Sequence, residues 1–87
     1  MMARMWRDGQ MVTVSFDRQG CPTAFTWQGH THLVQHTLQH WEIESDWWSE
    51  AGEVQREYFA LTTLSGLLCV LYFDLVEQTW CLTRVYD

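Results

Sequence analysis

The 87-residue chain is long enough for one small domain and too short for two. Five arginines and no lysine stand against eleven acidic residues, which gives a formal net charge of −6. That balance argues against sequence-independent binding of DNA or RNA, because such binding needs cations to neutralise phosphates. Hydrophobic residues make up 47% of the chain, enough for a folded core, and no apolar run approaches the roughly 20 residues of a membrane span.

The first half of the chain alternates apolar and polar residues with a period of two, which is typical of β-strands. The pattern predicts strands over residues 11–16, 23–27 and 31–43, with turns at 17–20 and at Gly29. The longest of these runs also spaces three histidines as a helix face would: His32, His36 and His40. We favour a strand because Thr and Val recur in the run and no N-cap residue precedes it.

The second half reads as a loop followed by three strands. Residues 44–53 are loop-like, and 49–51 could form one helical turn. Strands are then predicted over VQREYFALTT, LLCVLYFD and TWCLTRVY, with turns at 65–66 and 76–78. In the last hairpin this spacing places Cys81 opposite Tyr72 or Phe73 and Cys69 opposite Arg84 or Val85. The two thiols are therefore too far apart for a disulfide, and the three cysteines predict reduced thiols in a cytoplasmic protein.

Five or six short strands with brief turns predict an all-β fold, an antiparallel meander. With at most one short helical turn to cover it, the sheet is expected to curl or to form a partly open small barrel. A homodimer that buries the open face is the alternative. Residues 1–87 are expected to form a single domain, with 1–10 as a flexible or loosely attached N-terminus.

The histidines raise the hypothesis of a metal or catalytic site. His30 and His32 lie two residues apart, so on a strand they share a face, but no third ligand is spaced for them. His36 lies too far from His32 along a strand for both to bind one ion. We therefore predict no catalytic residue, no metal and no cofactor. A small metal-dependent or hydrolytic enzyme that uses His30, His32 and Asp74 remains an alternative.

Aromatic residues crowd the second half of the chain, and most of them are expected to fill the core. Trp47 and Trp48 are adjacent, and consecutive side chains of an extended segment point to opposite sides, so one of them is expected to be exposed. Exposed Trp and Tyr beside Arg are typical of protein–protein hot spots. The predicted interaction surface comprises Trp47, Trp48, Arg56, Tyr58, Arg84 and Tyr86. Binding of single-stranded nucleic acid to exposed aromatics is a further alternative, which the acidic charge disfavours.

Four stretches considered together resemble an uncharacterised family of small bacterial proteins: PTAFTWQGHTHLV, HW followed by DWW, QREYFALTT-SG-LLCVLYFDL and TWCLTRVYD. They are also similar to the C-terminal tail of ImuB-type proteins, the inactive relatives of Y-family translesion polymerases. The resemblance covers residues 22–87. The matching positions are Trp27, Gly29, His32, Trp41, Trp47, Trp48, Arg56, Tyr58, Phe59, Tyr72, Asp74, Trp80, Leu82, Val85 and Tyr86.

This resemblance implies a non-catalytic protein-interaction module connected with error-prone DNA-damage tolerance. In ImuB-type proteins the tail is associated with the recruitment of partner proteins. The implied partner is an error-prone polymerase or its accessory protein, bound in trans. The pattern differs at His30, where a basic Arg is more usual, and at residues 69–71, which are more apolar than is common.

Overall fold

The computed structural model describes the backbone of residues 3–45 and 54–86 and the side chains of residues 9–44 and 55–86. These residues form an all-β fold with no helix in the described ranges. Its seven strands are β1 (Ala3–Met11), β2 (Thr13–Phe16), β3 (Pro22–Trp27), β4 (His30–Ser45), β5 (Val54–Thr63), β6 (Leu68–Asp74) and β7 (Thr79–Tyr86). No helix of the described segments is long and apolar enough to cross a membrane.

The strands form one antiparallel sheet in the order β1-β7-β6-β5-β4-β3-β2. Its two end strands are separated in the chain by Val12 alone, whose N–H donates a hydrogen bond to the carbonyl of Trp80 on β7 (3.1 Å). The two edges of the sheet therefore approach each other, and the sheet curls into a half-barrel. The all-β, curled antiparallel prediction is confirmed.

The prediction of five or six strands is wrong by one, because the N-terminal residues form β1. Ala3–Met11 pairs with the edge of β7 that is not paired with β6. The register of this pair shifts between Met5 and Gln10, so the intervening residues have no ladder partner. The sequence pattern therefore does not indicate β1, since a bulge interrupts the alternation of apolar and polar residues.

Short-range features of the sheet agree with the sequence. Gln28 and Gly29 both have positive φ (52° and 77°) between the paired residues Trp27 and His30, the geometry of a tight two-residue hairpin. In the last hairpin Tyr72 lies opposite Cys81 and Cys69 opposite Val85, as predicted. The histidine run is a strand, as predicted. The helical turn considered for 49–51 lies outside the described residues.

The core lies on the concave side of the curled sheet, here called the inner face. It is built around Phe25, Trp27, Phe59, Leu61, Cys69, Leu71, Leu82 and Val85. Leu82 and Val85 are three positions apart, yet both point inward because the register of β6 and β7 shifts between Val70 and Leu71. Burial in this core raises the pKa of the Cys69 thiol to about 12, so the thiol stays protonated and unreactive at neutral pH.

Candidate functional site

The convex side of the sheet, the outer face, presents an ordered group of aromatic and charged residues across β4, β5 and β6. Two neighbouring rows cross these three strands in register. One row is Trp41–Tyr58–Tyr72 and the next is Ile43–Arg56–Asp74. We call these six residues the platform. It lies where β4 and β5 extend beyond the end of β3, whose pairing with β4 covers only His30–Leu33.

The aromatic row of the platform is a continuous series of ring contacts. The rings of Trp41 and Tyr58 are stacked, at 7° with centroids 5.4 Å apart, whereas those of Tyr58 and Tyr72 are tilted at 40° with centroids 5.2 Å apart. Aromatic pairs directly opposite each other on neighbouring strands stabilise a sheet. Exposure rises along the row, from Tyr72 at 3% to Trp41 at 36%. The row therefore has a buried end that anchors it and an exposed end that a partner can contact.

Arg56 occupies the centre of the second row and is held by three neighbours. Its guanidinium carbon lies 4.5 Å from the ring centroid of Tyr72, and its Nη1 donates a hydrogen bond to the Tyr58 hydroxyl at 3.5 Å. Its Nε lies 3.8 Å from Oδ2 of Asp74. The hydrogen bond to Tyr58 raises the pKa of Arg56 above its usual value, while partial burial opposes this. Arg56 is therefore a fixed cation among aromatic rings.

Asp74 connects the platform to the turn between β6 and β7. Its Oδ1 accepts hydrogen bonds from the backbone N–H groups of Val76 and Glu77, both at 3.0 Å. Its other oxygen faces Arg56. The carboxylate therefore stabilises the turn through Oδ1, while Oδ2 forms a longer ion pair with Nε of Arg56.

The strand β1 covers the buried end of the platform. Gly9 has φ of +77°, and a Cβ on it would lie 2.9 Å from Cε2 of Tyr72 and 2.9 Å from the Cβ of Cys81. The backbone of β1 thus passes directly over these two side chains. Burial, and secondly a hydrogen bond with Cys81, raises the pKa of Tyr72, so its hydroxyl stays neutral.

The six residues predicted for the interaction surface do not form one group. Arg56 and Tyr58 lie together in the platform. Arg84 and Tyr86 lie on β7 opposite Val70 and Leu68, about 13 and 20 Å along the sheet from the Arg56 row at 3.3 Å per residue. Trp47 and Trp48 lie outside the described residues, in the segment that joins β4 to β5.

The interaction surface predicted from sequence omits four members of the platform: Trp41, Ile43, Tyr72 and Asp74. Their common placement depends on the register between three strands. The sequence signal for this outer-face site is the alternation within β5, which puts Arg56 and Tyr58 on one face and Phe59 on the other.

The residues of the alternative enzyme hypothesis are distributed over distant parts of the sheet. His30 and His32 both follow the β3–β4 turn, at the start of β4. The ring of His32 stacks on Phe25 with centroids 5.2 Å apart, and its Nδ1 lies 3.3 Å from the Ser65 hydroxyl. Asp74 is the last residue of β6, on the outer face opposite Arg56, and accepts hydrogen bonds from the turn that follows. These three residues therefore share no site.

The model of a domain of unknown function, DUF6504, matches residues 4–87. No curated protein and no solved structure matches the chain. The match includes all seven strands except the first residue of β1, and with them the whole platform. The chain therefore belongs to the DUF6504 family.

Proposed function

We propose that this DUF6504 chain is a non-catalytic protein-interaction module that binds its partner through the platform. The observation behind the proposal is the stacked pair Trp41–Tyr58, which is half-exposed on a rigid sheet beside the fixed cation Arg56. Tryptophan, tyrosine and arginine dominate the binding energy of protein interfaces. Side chains that are already ordered lose little conformational entropy on binding, and this favours affinity.

The neighbourhood of the platform supports the same proposal. Ile43 is 43% exposed and adds apolar surface next to Trp41 on β4. Beyond Arg56 the ladder between β5 and β6 ends, so the β4–β5 hairpin extends past both of its neighbouring strands. Trp47 and Trp48 follow in the segment that joins the two strands. We include them in the proposed surface, whereas Arg84 and Tyr86 are assigned to a separate part of the sheet.

The proposed partner is an error-prone polymerase or its accessory protein, and the proposed process is DNA-damage tolerance in the cytoplasm. Support for this finer assignment is the similarity of residues 22–87 to the tail of ImuB-type proteins. Five of the matching positions lie in the platform: Trp41, Arg56, Tyr58, Tyr72 and Asp74. A surface built by residues that the two kinds of protein share suits recruitment of a shared partner.

The test compares affinities of variants for the purified error-prone polymerase and the ImuB-type protein of the same genome. Trp41→Ala should weaken binding about 30-fold or more, because a central aromatic hot spot contributes about 2 kcal/mol. The double substitution Trp47→Ala with Trp48→Ala should abolish capture. Both variants should keep the circular-dichroism spectrum and the unfolding midpoint close to those of the unchanged chain.

The matched control is Leu38→Ala, because Leu38 is on the same strand and is 56% exposed but lies outside the platform. It should bind like the unchanged chain. Equal weakening by Leu38→Ala and Trp41→Ala would refute the platform as the binding surface. Binding of neither protein by the unchanged chain would refute the assignment of the partner. A concentration-dependent dimer that Trp41→Ala dissociates would identify a second copy of the chain as the occupant.

A further inference from the structure

A second group of polar residues lies on the inner face of the same hairpin, on the opposite side from the platform. It comprises His40, Glu42 and Glu57, whose potential metal-ligating atoms all lie within 4.8 Å of one another. His40 and Glu42 share a face because they are two residues apart on β4, and Glu57 is directly opposite Glu42 on β5. Neither His30 nor His32 belongs to this group.

The imidazole of His40 is held in a fixed orientation. Its ring stacks on Phe59 with centroids 4.6 Å apart and an angle of 3° between the planes. Phe59 is 2% exposed and packs against Trp80, so it provides a rigid surface. In this orientation Nε2 of His40 lies 3.9 Å from Oε1 of Glu57. Ligands that are already oriented bind an ion with a smaller entropic cost.

The pairing of Glu42 with Glu57 is a second argument for a bound cation, independent of the orientation of His40. Like charges directly opposite each other on neighbouring strands destabilise a sheet, and Glu42 and Glu57 form such a pair. The arginine on this part of β5, Arg56, points to the outer face, where it contacts Asp74 and Tyr72. A divalent cation between the two carboxylates would replace their repulsion with attraction to both.

We propose that Nε2 of His40 and the carboxylates of Glu42 and Glu57 bind one divalent transition-metal ion, with Zn²⁺ as the best match. Zinc accepts one nitrogen and two oxygen ligands with tetrahedral geometry, whereas Mg²⁺ and Ca²⁺ select oxygen ligands alone. Three protein ligands leave a fourth position. Because His40 and Glu42 are exposed, this position is open to water or to a side chain of a bound partner.

The experiment titrates Zn²⁺, and in parallel Mg²⁺, into the metal-free chain by isothermal calorimetry. Co²⁺ then serves as an absorbance probe of coordination geometry. We expect one Zn²⁺ per chain and no saturable binding of Mg²⁺. His40→Phe keeps a ring against Phe59 but removes the nitrogen ligand, and Glu57→Gln keeps the size of the side chain. Each should lower the affinity for Zn²⁺ at least about tenfold, the effect of losing even an outer-shell partner of a metal site.

The controls are His36→Gln and Glu44→Gln. His36 pairs with Thr62 on the outer face, so it is a surface histidine of the same strand that cannot reach the ion. Glu44 is the next inward-facing carboxylate along β4, opposite Gln55. Both variants should bind Zn²⁺ like the unchanged chain, and saturating Zn²⁺ should raise their unfolding midpoints but not that of His40→Phe.

Three results would overturn the proposal: no Zn²⁺ uptake by the unchanged chain, equal affinity in His40→Phe, or loss of the site in His36→Gln. The readout is independent of partner binding. A metal titration that shows no binding would therefore not contradict the platform as a binding surface. A partner titration that shows no binding would not contradict the metal site.

Discussion

Replacement of Gly9 with alanine is expected to destabilise the protein by about 2 to 5 kcal/mol. Two separate costs add at this position. A non-glycine residue at φ of +77° costs about 1 to 2 kcal/mol. The new methyl group would also lie 2.9 Å from the Cβ of Cys81 and from the Tyr72 ring, and such overpacking costs about 1 to 3 kcal/mol. The measurement is the urea concentration at which half of the protein is unfolded. It should fall in the variant, while the slope of the unfolding free energy against urea stays the same.

Two other glycines separate these costs. Gly29 and Gly66 have φ of +77° and +92°, but a Cβ on either would meet nothing within 4 Å. Their alanine variants should lose only the conformational contribution, about 1 to 2 kcal/mol. If Gly9→Ala were no more destabilising than Gly29→Ala, then β1 would not lie against Tyr72 and Cys81 in solution.

The second large effect is expected at Phe59, which is the central ring of the inner face. Phe59→Ala should cost about 3 to 5 kcal/mol, because it leaves a cavity between His40, Leu71 and Trp80. A small domain has about 5 to 15 kcal/mol of total stability, so this variant should approach the unfolding threshold at room temperature. Thermal unfolding monitored by circular dichroism measures the loss.

Phe16→Ala is the control for the same chemical change at the surface. Phe16 is 58% exposed on β2, and its ring lies at 31° to that of Trp80 with centroids 6.0 Å apart. Its removal should cost less than about 1 kcal/mol. Similar losses for the two variants would mean that Phe59 does not occupy the core described above.

The local features of this fold could be predicted from sequence because their causes are local. Gly29 marks a tight hairpin wherever strands flank it, and the spacing of the last two strands places Tyr72 opposite Cys81. The alternation of β5 places Tyr58 and Phe59 on opposite faces of the sheet. These inferences need only neighbouring residues and one turn.

Features that depend on distant pairing could not be predicted in this way. The strand β1 forms against β7, some seventy residues further along the chain, and a shift of register between Met5 and Gln10 hides its periodicity. In β4 the register shifts twice, between Val34 and His36 and between Thr37 and Gln39. These irregularities are set by packing of the curled sheet and leave no simple pattern in the sequence.

The candidate site could be predicted only in part, because some of its residues are brought together by pairing between strands. Arg56 and Tyr58 follow from their composition and spacing on one strand. Their stacking and charge partners Trp41, Tyr72 and Asp74 come from two other strands, so only the register reveals them. The group of His40, Glu42 and Glu57 could not be found from the spacing of histidines along one strand, because Glu57 lies on β5. Pairing of β4 with β5 was the missing information.

The most direct test of the platform as a binding surface is amide hydrogen exchange of the chain with and without its partner. The protein added is the proposed partner, the purified error-prone polymerase or the ImuB-type protein. Binding at the platform should slow exchange in residues 41–44 and 55–58, while β2 and the Arg84–Tyr86 end of β7 keep the rates of the free chain. Protection confined to β2 or to that end of β7, with residues 41–44 and 55–58 unchanged, would contradict the account.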